Sequence, residues 1–279
     1  MSGLRHSLFE SEELSVVKVP GEREDLVFVT FEPLNPTRRD NREGFGEGFF
    51  ARRGVTAYHF LAHTNSWYQL DEMAEALARV RADIDAHMSP GVCVVAYSTS
   101  MGSYAAIRFS QALAVDAIIA FSPQSSVDPR LVPWETRWAP DGPRLMWDRN
   151  PPRPATRIYV IYDPLNLDRR HVRRLRREAD VELVRTYFSG HGSIGFVQEC
   201  GLLESVIFDI AEDRFDGPAL EARLWSLRKS TPTYAKIRAR KRTGIFRRFR
   251  YWCIERFLDR KLSARVAPVS TRPSERLPA

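Results

Sequence analysis

The stretch of sequence that decides the fold reads Val94-Val95-Ala96-Tyr97-Ser98-Thr99-Ser100-Met101-Gly102-Ser103-Tyr104-Ala105-Ala106. An apolar run that predicts a buried strand passes through a short turn into a small-residue segment that predicts a helix. The turn has the G-x-S-x-G pattern of a nucleophile elbow, with Ser98 in place of the first glycine. So sharp a turn needs small residues on either side, which Ser98 and Gly102 provide. We therefore predict that Ser100 projects above the sheet edge as a nucleophile, with the amide of Met101 as an oxyanion donor.

The same turn also has a purely structural interpretation. Ser98, Thr99 and Ser100 would then form a polar strand-to-helix connection in which a serine caps the helix. The choice depends on whether a base and a carboxylate follow in the chain, because a serine hydroxyl is a weak nucleophile without them.

A general base and its carboxylate are expected at the ends of later strands. His191 lies in the glycine-flanked loop Ser189–Ser193 after the last predicted strand, and we predict it as the base; the alternative is a surface-loop histidine. Asp163 and Asp168 both follow the predicted strand Arg157–Tyr162. We favour Asp168, which has room to reach across to the histidine. Asp168 as a helix N-cap and Asp163 as the start of an Asp-Pro turn remain open.

Strands and helices alternate along the chain, which predicts an α/β fold with a mainly parallel sheet flanked by helices. The predicted strands are Leu14–Val19, Leu26–Phe31, Val55–Leu61, Gly91–Tyr97, Val115–Phe121, Arg157–Tyr162 and Val181–Tyr187. The predicted helices are Tyr68–Ala86, Met101–Leu113, Asp168–Ala179 and Ile194–Ala211. The irregular segment 124–156, rich in proline and tryptophan, predicts a cap or lid within a domain of residues 1–216.

The order nucleophile, acid, histidine makes the chain resemble the α/β-hydrolase superfamily from about Leu14 to Ala211, and more narrowly a bacterial serine esterase or acyl hydrolase. The resemblance implies that Ser100 attacks a carbonyl, that His191 takes its proton, and that Asp168 or Asp163 orients the imidazole. It also implies an acyl-enzyme released by water, a small acyl ester or acylated glycan as substrate, and neither a metal nor an organic cofactor.

The second oxyanion donor departs from the family pattern. No His-Gly-Gly-type loop follows the predicted strand Leu26–Phe31, which instead runs into Glu32-Pro33-Leu34. Pro33 has no N–H to donate, so the backbone amides of Glu32 and Leu34 are the candidates.

A substrate pocket is expected beside the elbow. The loop containing Asn65, Trp67 and Tyr68 follows a predicted strand, and ligands of open parallel sheets bind at the carboxyl ends of the strands. These three residues are therefore candidates for the pocket wall. An equal alternative is that Trp67 and Tyr68 pack beneath the next helix.

The C-terminal part, residues 217–279, differs in composition from the rest. Residues 228–261 hold 13 Lys and Arg against 2 Asp and Glu, whereas the remainder has 29 against 33. Cations there alternate with aromatic residues, which favours contact with an anionic membrane surface or an acidic polymer. The alternative is an accessory helix packed on the acidic body. No motif for sequence-specific nucleic-acid binding is found, and the last dozen or so residues are expected to be disordered.

Composition narrows the function classes further. The chain has 279 residues, 43% of them hydrophobic, which suffices for one sizeable core. The three cysteines are far apart in the sequence, which argues against a disulfide framework or a zinc site. The N-terminus lacks an apolar signal, so we expect a cytoplasmic protein. It would be peripheral at the membrane if the basic segment binds lipid. We predict a serine hydrolase. The alternatives are an acyltransferase with the same triad and a non-catalytic protein of the same fold that binds anionic surfaces.

Overall fold

The apolar run before Ser100 is the central strand of a sheet in the computed structural model, which describes residues 5–34, 42–138, 145–240 and 245–263. In these residues the strands are β1 (His6–Glu10), β2 (Leu14–Val19), β3 (Arg23–Phe31), β4 (Val55–Ala62), β5 (Cys93–Thr99), β6 (Ala117–Phe121), β7 (Arg157–Tyr162) and β8 (Val181–Arg185). The helices are α1 (Glu47–Arg52), α2 (Met73–His87), α3 (Met101–Arg108), α4 (Arg169–Glu178), α5 (Ser193–Glu199), α6 (Leu203–Ala211), α7 (Gly217–Leu227), α8 (Pro232–Arg240) and α9 (Ile245–Ser263).

The strands of the described residues form one eight-stranded sheet in the order β1-β2-β4-β3-β5-β6-β7-β8. The six strands from β4 to β8 in this order are parallel, whereas β2 pairs antiparallel with both β4 and β1. Nearly all of β5 is buried, because helices cover both faces, and this explains its unbroken apolar sequence. The carboxyl ends of the parallel strands meet at one edge, where ligand sites of such sheets form.

Alternate residues of the strands face two apolar layers. The first layer, with α2 and α3, includes Leu77, Val80, Ile84 and Tyr104. The second layer, with α1, α5, α6 and α7, includes Phe50, Phe196, Ile210 and Leu224. The site edge is therefore supported by helices packed from both sides.

The predicted α/β fold with a mainly parallel sheet is confirmed, with local corrections. The sequence does not predict β1, because this edge strand is five residues long and buries only one of its side chains. The helix predicted over Met101–Leu113 ends at Arg108.

Left-handed backbone conformations explain two further differences. The helix predicted from Tyr68 begins only at Met73, since Trp67 and Tyr68 have φ values of 54° and 57°. The helix predicted over Ile194–Ala211 is two helices, α5 and α6, because the chain turns at Gly201 with φ of 68°. A residue at positive φ cannot continue a right-handed helix.

The connection between β6 and β7 has neither helix nor strand in its described parts, 122–138 and 145–156. It contains most of the segment predicted to be a cap. Its beginning is anchored inside the protein, where Ser125 and Asp128 are buried. Its end is anchored by Trp147, whose indole N–H donates to the carbonyl of Leu70 at 2.9 Å and whose ring packs on Phe109.

The C-terminal helices pack on the sheet domain. In α7, Glu221 accepts hydrogen bonds from the amide and side chain of Arg185 in β8. A third apolar cluster joins α7 and α9 to the end of β8; its buried members are Phe188, Trp225, Leu258 and Leu262. The tail expected to be disordered lies outside the described residues. Of the helices described, none combines the length and apolarity that a membrane span requires.

Candidate active site

Ser100 occupies a strained turn between β5 and α3. Its φ of 54° and ψ of −121° are rare for a residue other than glycine. Its amide donates to the carbonyl of Phe121 at 2.9 Å, which ties the turn to β6. The hydroxyl makes no capping hydrogen bond to α3 and lies 2.9 Å from Nε2 of His191. This geometry is that of an elbow that presents its side chain, and not that of a capping serine.

The small residues around the elbow have separate reasons to be small. A Cβ added to Gly102 would lie 2.0 Å from the carbonyl oxygen of Phe31, so only glycine fits without moving main chain. Ser98 is fully buried; its hydroxyl accepts from the amide of Phe31 at 3.1 Å and donates to the carbonyl of Tyr97 at 2.6 Å. The serine in place of the first elbow glycine is therefore accommodated with its donor and acceptor both satisfied.

His191 lies in a tightly turned loop between β8 and α5. The residues Phe188 and Gly190 have φ values of 66° and 65°, and Gly192 forms the N-terminal boundary of α5. Ser193 then donates to the carbonyl of Ile161 at 3.1 Å and so holds the loop to the end of β7. The His191 side chain remains 25% exposed, which leaves one side of the imidazole accessible.

The two candidate carboxylates have different surroundings. Asp168 is fully buried, and its Oδ2 lies 2.8 Å from Nδ1 of His191. This pairing places the ring proton on Nδ1 and leaves Nε2 as an acceptor for the Ser100 hydroxyl. Asp163 is also fully buried but accepts from the amides of Leu165 at 2.8 Å and Gly190 at 2.9 Å. Asp163 thus shapes the histidine loop, while Asp168 contacts the imidazole.

Arg137, in the β6–β7 connection, binds the oxygen of Asp168 that does not face the histidine. Its guanidinium donates to Oδ1 of Asp168 at 2.8 Å. The same guanidinium pairs with Glu135 through Nε at 2.9 Å. Two anions therefore hold one cation directly behind the carboxylate that faces His191.

The ion network continues to His171 in α4. The amide of Ser125 donates to Nδ1 of His171 at 3.1 Å, so the ring proton is on Nε2, which lies 3.0 Å from Glu135. Burial opposes ionisation, yet the hydrogen bonds from Arg137 and His171 outweigh it and lower the pKa of Glu135 well below its usual range. Burial likewise lowers the pKa of Arg137, but its bonds to Glu135 and Asp168 prevail and raise it. These contacts therefore keep Glu135 and Arg137 charged.

Of the amides predicted as oxyanion donors, that of Glu32 is wrong. The amide of Glu32 donates to the carbonyl of Phe60 at 3.1 Å as an extension of the ladder between β3 and β4, so it is engaged elsewhere. Leu34 remains a candidate donor next to Pro33. Met101 begins α3, where the first amides of a helix have no partner within the helix.

The residues predicted to line a pocket divide into two groups. Asn65 is half-buried in the loop after β4. Tyr68 is instead a core residue: it is fully buried, and its hydroxyl donates to the carbonyls of Glu32 at 3.1 Å and Phe60 at 3.2 Å. Trp67 is 1% exposed and packs edge-on against Tyr104. The left-handed backbone at Trp67 and Tyr68 turns both rings inward, so the structure supports the packing alternative for this pair.

Three contacts around the histidine were not predicted from the sequence. Trp138 packs against the imidazole of His191, with ring centroids 5.3 Å apart. Arg137 reaches Asp168, and Ile237 of α8 lies against the histidine loop, with its Cδ1 3.0 Å from where a Cβ on Gly190 would stand. The aromatic and charged run from Trp134 to Trp138 was the available signal, but its partners are distant in sequence. Within the described ranges, no group of three or more His, Cys, Asp or Glu side chains is placed to hold a metal ion.

Comparisons with known proteins agree with this architecture. The chain is similar to the capsule O-acetyltransferase of Neisseria meningitidis serogroup A, with a TM-score of 0.50 and 13% identity over 72% of this chain and 93% of that one. It is similar to Thermogutta terrifontis esterase 2, with a TM-score of 0.51 and 12% identity over 77% and 96% of the two chains. MGS-M1, an α/β-hydrolase enzyme from a Medee basin deep-sea metagenome library, matches with a TM-score of 0.49 and 12% identity over 94% and 100%.

No protein-family model matches the sequence, and no curated protein sequence matches it. The assignment of the fold therefore rests on the sheet order and on the likeness to the two structures with TM-scores of 0.50 and 0.51. Together these show that the chain has the α/β-hydrolase fold.

Proposed function

We propose that the protein is a serine hydrolase that cleaves an ester or related acyl bond through an acyl-enzyme on Ser100. One observation carries the proposal: the continuous hydrogen-bonded series from Ser100 Oγ to His191 Nε2 at 2.9 Å and from His191 Nδ1 to Asp168 at 2.8 Å. A serine in an ordinary polar turn has no need of positive φ, nor of a histidine backed by a buried carboxylate.

The reaction follows from the positions of these atoms. Ser100 Oγ attacks the carbonyl carbon while its proton passes to Nε2 of His191, and Asp168 stabilises the imidazolium that results. The tetrahedral intermediate collapses, its C–O bond to the leaving alcohol breaks, and the imidazolium gives its proton to that alcohol. Water then attacks the acyl-enzyme, again losing a proton to His191, and the acid departs as Ser100 recovers its hydroxyl proton.

The negative charge of the intermediate needs fixed donors beside Ser100. We infer that the amide of Met101 at the start of α3 is the first and the amide of Leu34 the second. Because Gly102 abuts the main chain of Phe31, the end of β3 lies directly against the start of α3. The loop that carries Leu34 therefore leaves the sheet next to the elbow.

Covalent labelling tests whether Ser100 is activated. The full chain would be treated with a fluorophosphonate probe, and the adduct would be located by peptide mass spectrometry in the wild type, Ser100→Ala and His191→Ala. Ser226→Ala, which removes an exposed serine of α7, is the matched control. Organophosphorus reagents are apt probes because the esterase 2 structure is of a protein phosphoramylated by tabun.

We expect an adduct on Ser100 in the wild type and in Ser226→Ala, and none in Ser100→Ala or His191→Ala. An adduct on a different serine, or no adduct with a range of probe sizes while the protein stays folded, would contradict the proposal. The second result would favour the non-catalytic alternative.

Acyl transfer is a second candidate, since it uses the same acyl-enzyme with an alcohol in place of water. The partly buried ring of Trp138 beside His191 favours it, because an indole offers an apolar surface for a sugar ring where the acceptor must be deprotonated. A capsule O-acetyltransferase is among the proteins with this fold. Product analysis with an acetyl ester separates the two: acetate alone indicates hydrolysis, whereas acetylation of an added oligosaccharide indicates transfer.

A further inference from the structure

The helix α9 presents two chemically different faces. Its inward face carries the buried Leu258 and Leu262, with Tyr251 and Ile254 packed beside them against Phe188 and Trp225. This apolar packing fixes the helix on the protein. The opposite face is therefore held outward in a defined orientation.

Both acidic residues of the segment 245–263 pair with cations of neighbouring elements. Glu255 pairs with Arg238 at 2.5 and 2.7 Å and accepts from the hydroxyl of Tyr234 at 2.7 Å. Asp259 accepts from Arg228 at 2.8 Å and from the indole of Trp225 at 3.0 Å. The acidic side chains of α9 thus pair with cations of α8 and of the turn after α7, Glu255 nearly buried and Asp259 with 48% of its side chain exposed.

The outward face combines exposed aromatic rings with cations. Phe246, Phe249, Trp252 and Phe257 are 88%, 65%, 51% and 62% exposed, an unfavourable arrangement in water. The rings of Phe249 and Trp252 stack on each other. Among the α9 side chains that the structure describes, the exposed cations are Arg248, Arg250, Arg256, Arg260 and Lys261. We name this surface of α9 the aromatic–basic face.

We propose that the aromatic–basic face binds flat to an anionic lipid bilayer. Its aromatic rings would enter the boundary between headgroups and acyl chains, while its cations pair with lipid phosphates. A second copy of the chain is a poorer occupant, because two such faces would bring cations together while the acidic residues of α9 are already paired with Arg228 and Arg238. A nucleic acid would satisfy the arginines, but a convex helix offers no cleft in which bases stack on the four rings.

Vesicle co-sedimentation of the full chain tests the proposal. Vesicles of phosphatidylcholine alone are compared with vesicles that also contain phosphatidylglycerol. One variant removes three rings, Phe249→Ala with Trp252→Ala and Phe257→Ala. A second removes three cations, Arg250→Gln with Arg256→Gln and Arg260→Gln. All six side chains are exposed, so the fold is retained, which circular dichroism verifies.

The basic helix α4 supplies a matched control. Arg173, Arg176 and Arg177 are exposed, and α4 contains no Phe, Trp or Tyr. Changing these three arginines to glutamine removes the same charge from a different surface. A general attraction between a basic protein and anionic vesicles would respond equally to both triple substitutions.

We expect binding only to the anionic vesicles. It should weaken roughly a hundredfold in the α9 cation variant, at about one kcal/mol per surface-adjacent cation, and at least about tenfold in the ring variant. The α4 control should change it less than about threefold. Equal loss in the α4 control, or unchanged binding in both α9 variants, would overturn the proposal. So would light scattering that shows a dimer abolished by the ring variant, or an RNA oligonucleotide that binds more tightly than the vesicles.

Discussion

The two halves of the candidate site are held in place by different means. Ser100 is held by the sheet itself: it lies between β5 and α3 with φ of 54° and ψ of −121°, and the end of β3 packs directly against the start of α3. His191 and Asp168 sit on loops, and their positions depend on Arg137 from the β6–β7 connection and on the packing of α8 and α9. One half is local and rigid, and the other is assembled from distant segments.

This difference has a consequence for how substitutions act. A change beside Ser100 meets main chain, so it should damage folding and chemistry together. A change in the supports of His191 meets side chains, so it should reduce catalysis in steps that reflect how directly each support touches the imidazole. The following predictions, on hydrolysis of an ester that the wild type accepts, test that contrast.

The largest effect should come from the carboxylate that contacts the imidazole. Asp168→Asn should lower kcat about 10⁴-fold, because an amide in this position favours the wrong tautomer of His191. Asp163→Asn should act mainly on stability, by about 1–3 kcal/mol, since it alters the acceptor for the amides of Leu165 and Gly190. Initial rates and denaturant unfolding of both variants measure this. Equal kinetic losses would mean that Asp163 shares the orienting role.

On the sheet side, Gly102→Ala should lower kcat about a hundredfold and destabilise the protein by about 3 kcal/mol, because its Cβ would collide with the carbonyl of Phe31. Gly195→Ala in α5 is the matched control, since nothing lies within 4 Å of the added Cβ. That variant should retain activity and unfold at a slightly higher temperature. If Gly102→Ala were as stable as the wild type, the main chain at Phe31 would be free to move, and the prediction would be wrong.

Arg137 is a positioning residue whose removal should cost less than that of the carboxylate it holds. Arg137→Gln should reduce kcat about 10–100-fold with little change in KM, because Asp168 would lose its cation and turn more freely. Arg137→Lys should recover part of this loss, since a lysine supplies the charge but not the two-sided geometry. If Arg137 had a purely structural role, the loss of activity in both variants would match the fraction of unfolded protein, which unfolding curves measure.

The same network predicts an acid-sensitive contribution to stability. The folded pKa of Glu135 lies below the value of 4.5 of its unfolded state, so the stabilisation is complete above that pH and is lost as pH falls further. Arg137→Gln should therefore flatten the decline of the unfolding free energy below about pH 4.5. If the unfolding free energies of the wild type and the variant fell in parallel with pH, the Arg137–Glu135 pair would not be the cause of the acid sensitivity.

The contrast also explains what could be predicted from the sequence. The elbow could be found because its constraints fall within a few residues, from Ser98 to Gly102. His191 could be found from its glycines and from chain order. Asp168 could be favoured from its place a few residues beyond the strand, but Asp163 could not be excluded, because the choice depends on distances across the sheet edge. The roles of Arg137 and Ile237 could not be assigned, because their partners Asp168 and Gly190 are more than 30 residues away in the sequence.

The smallest effect tests the most remote support, the contact of α8 with the histidine loop. Ile237→Ala would leave a gap against Gly190, whose left-handed conformation holds the turn before His191. Because the contact shapes the loop and does not touch the imidazole, we expect a loss of about two- to fivefold in kcat and about 1–2 kcal/mol in stability. Lys236→Ala, at the exposed neighbouring position, should change neither. Ile237→Ala could lose stability and yet keep the wild-type kcat under conditions in which it is fully folded. The C-terminal helices would then stabilise the fold without positioning the histidine.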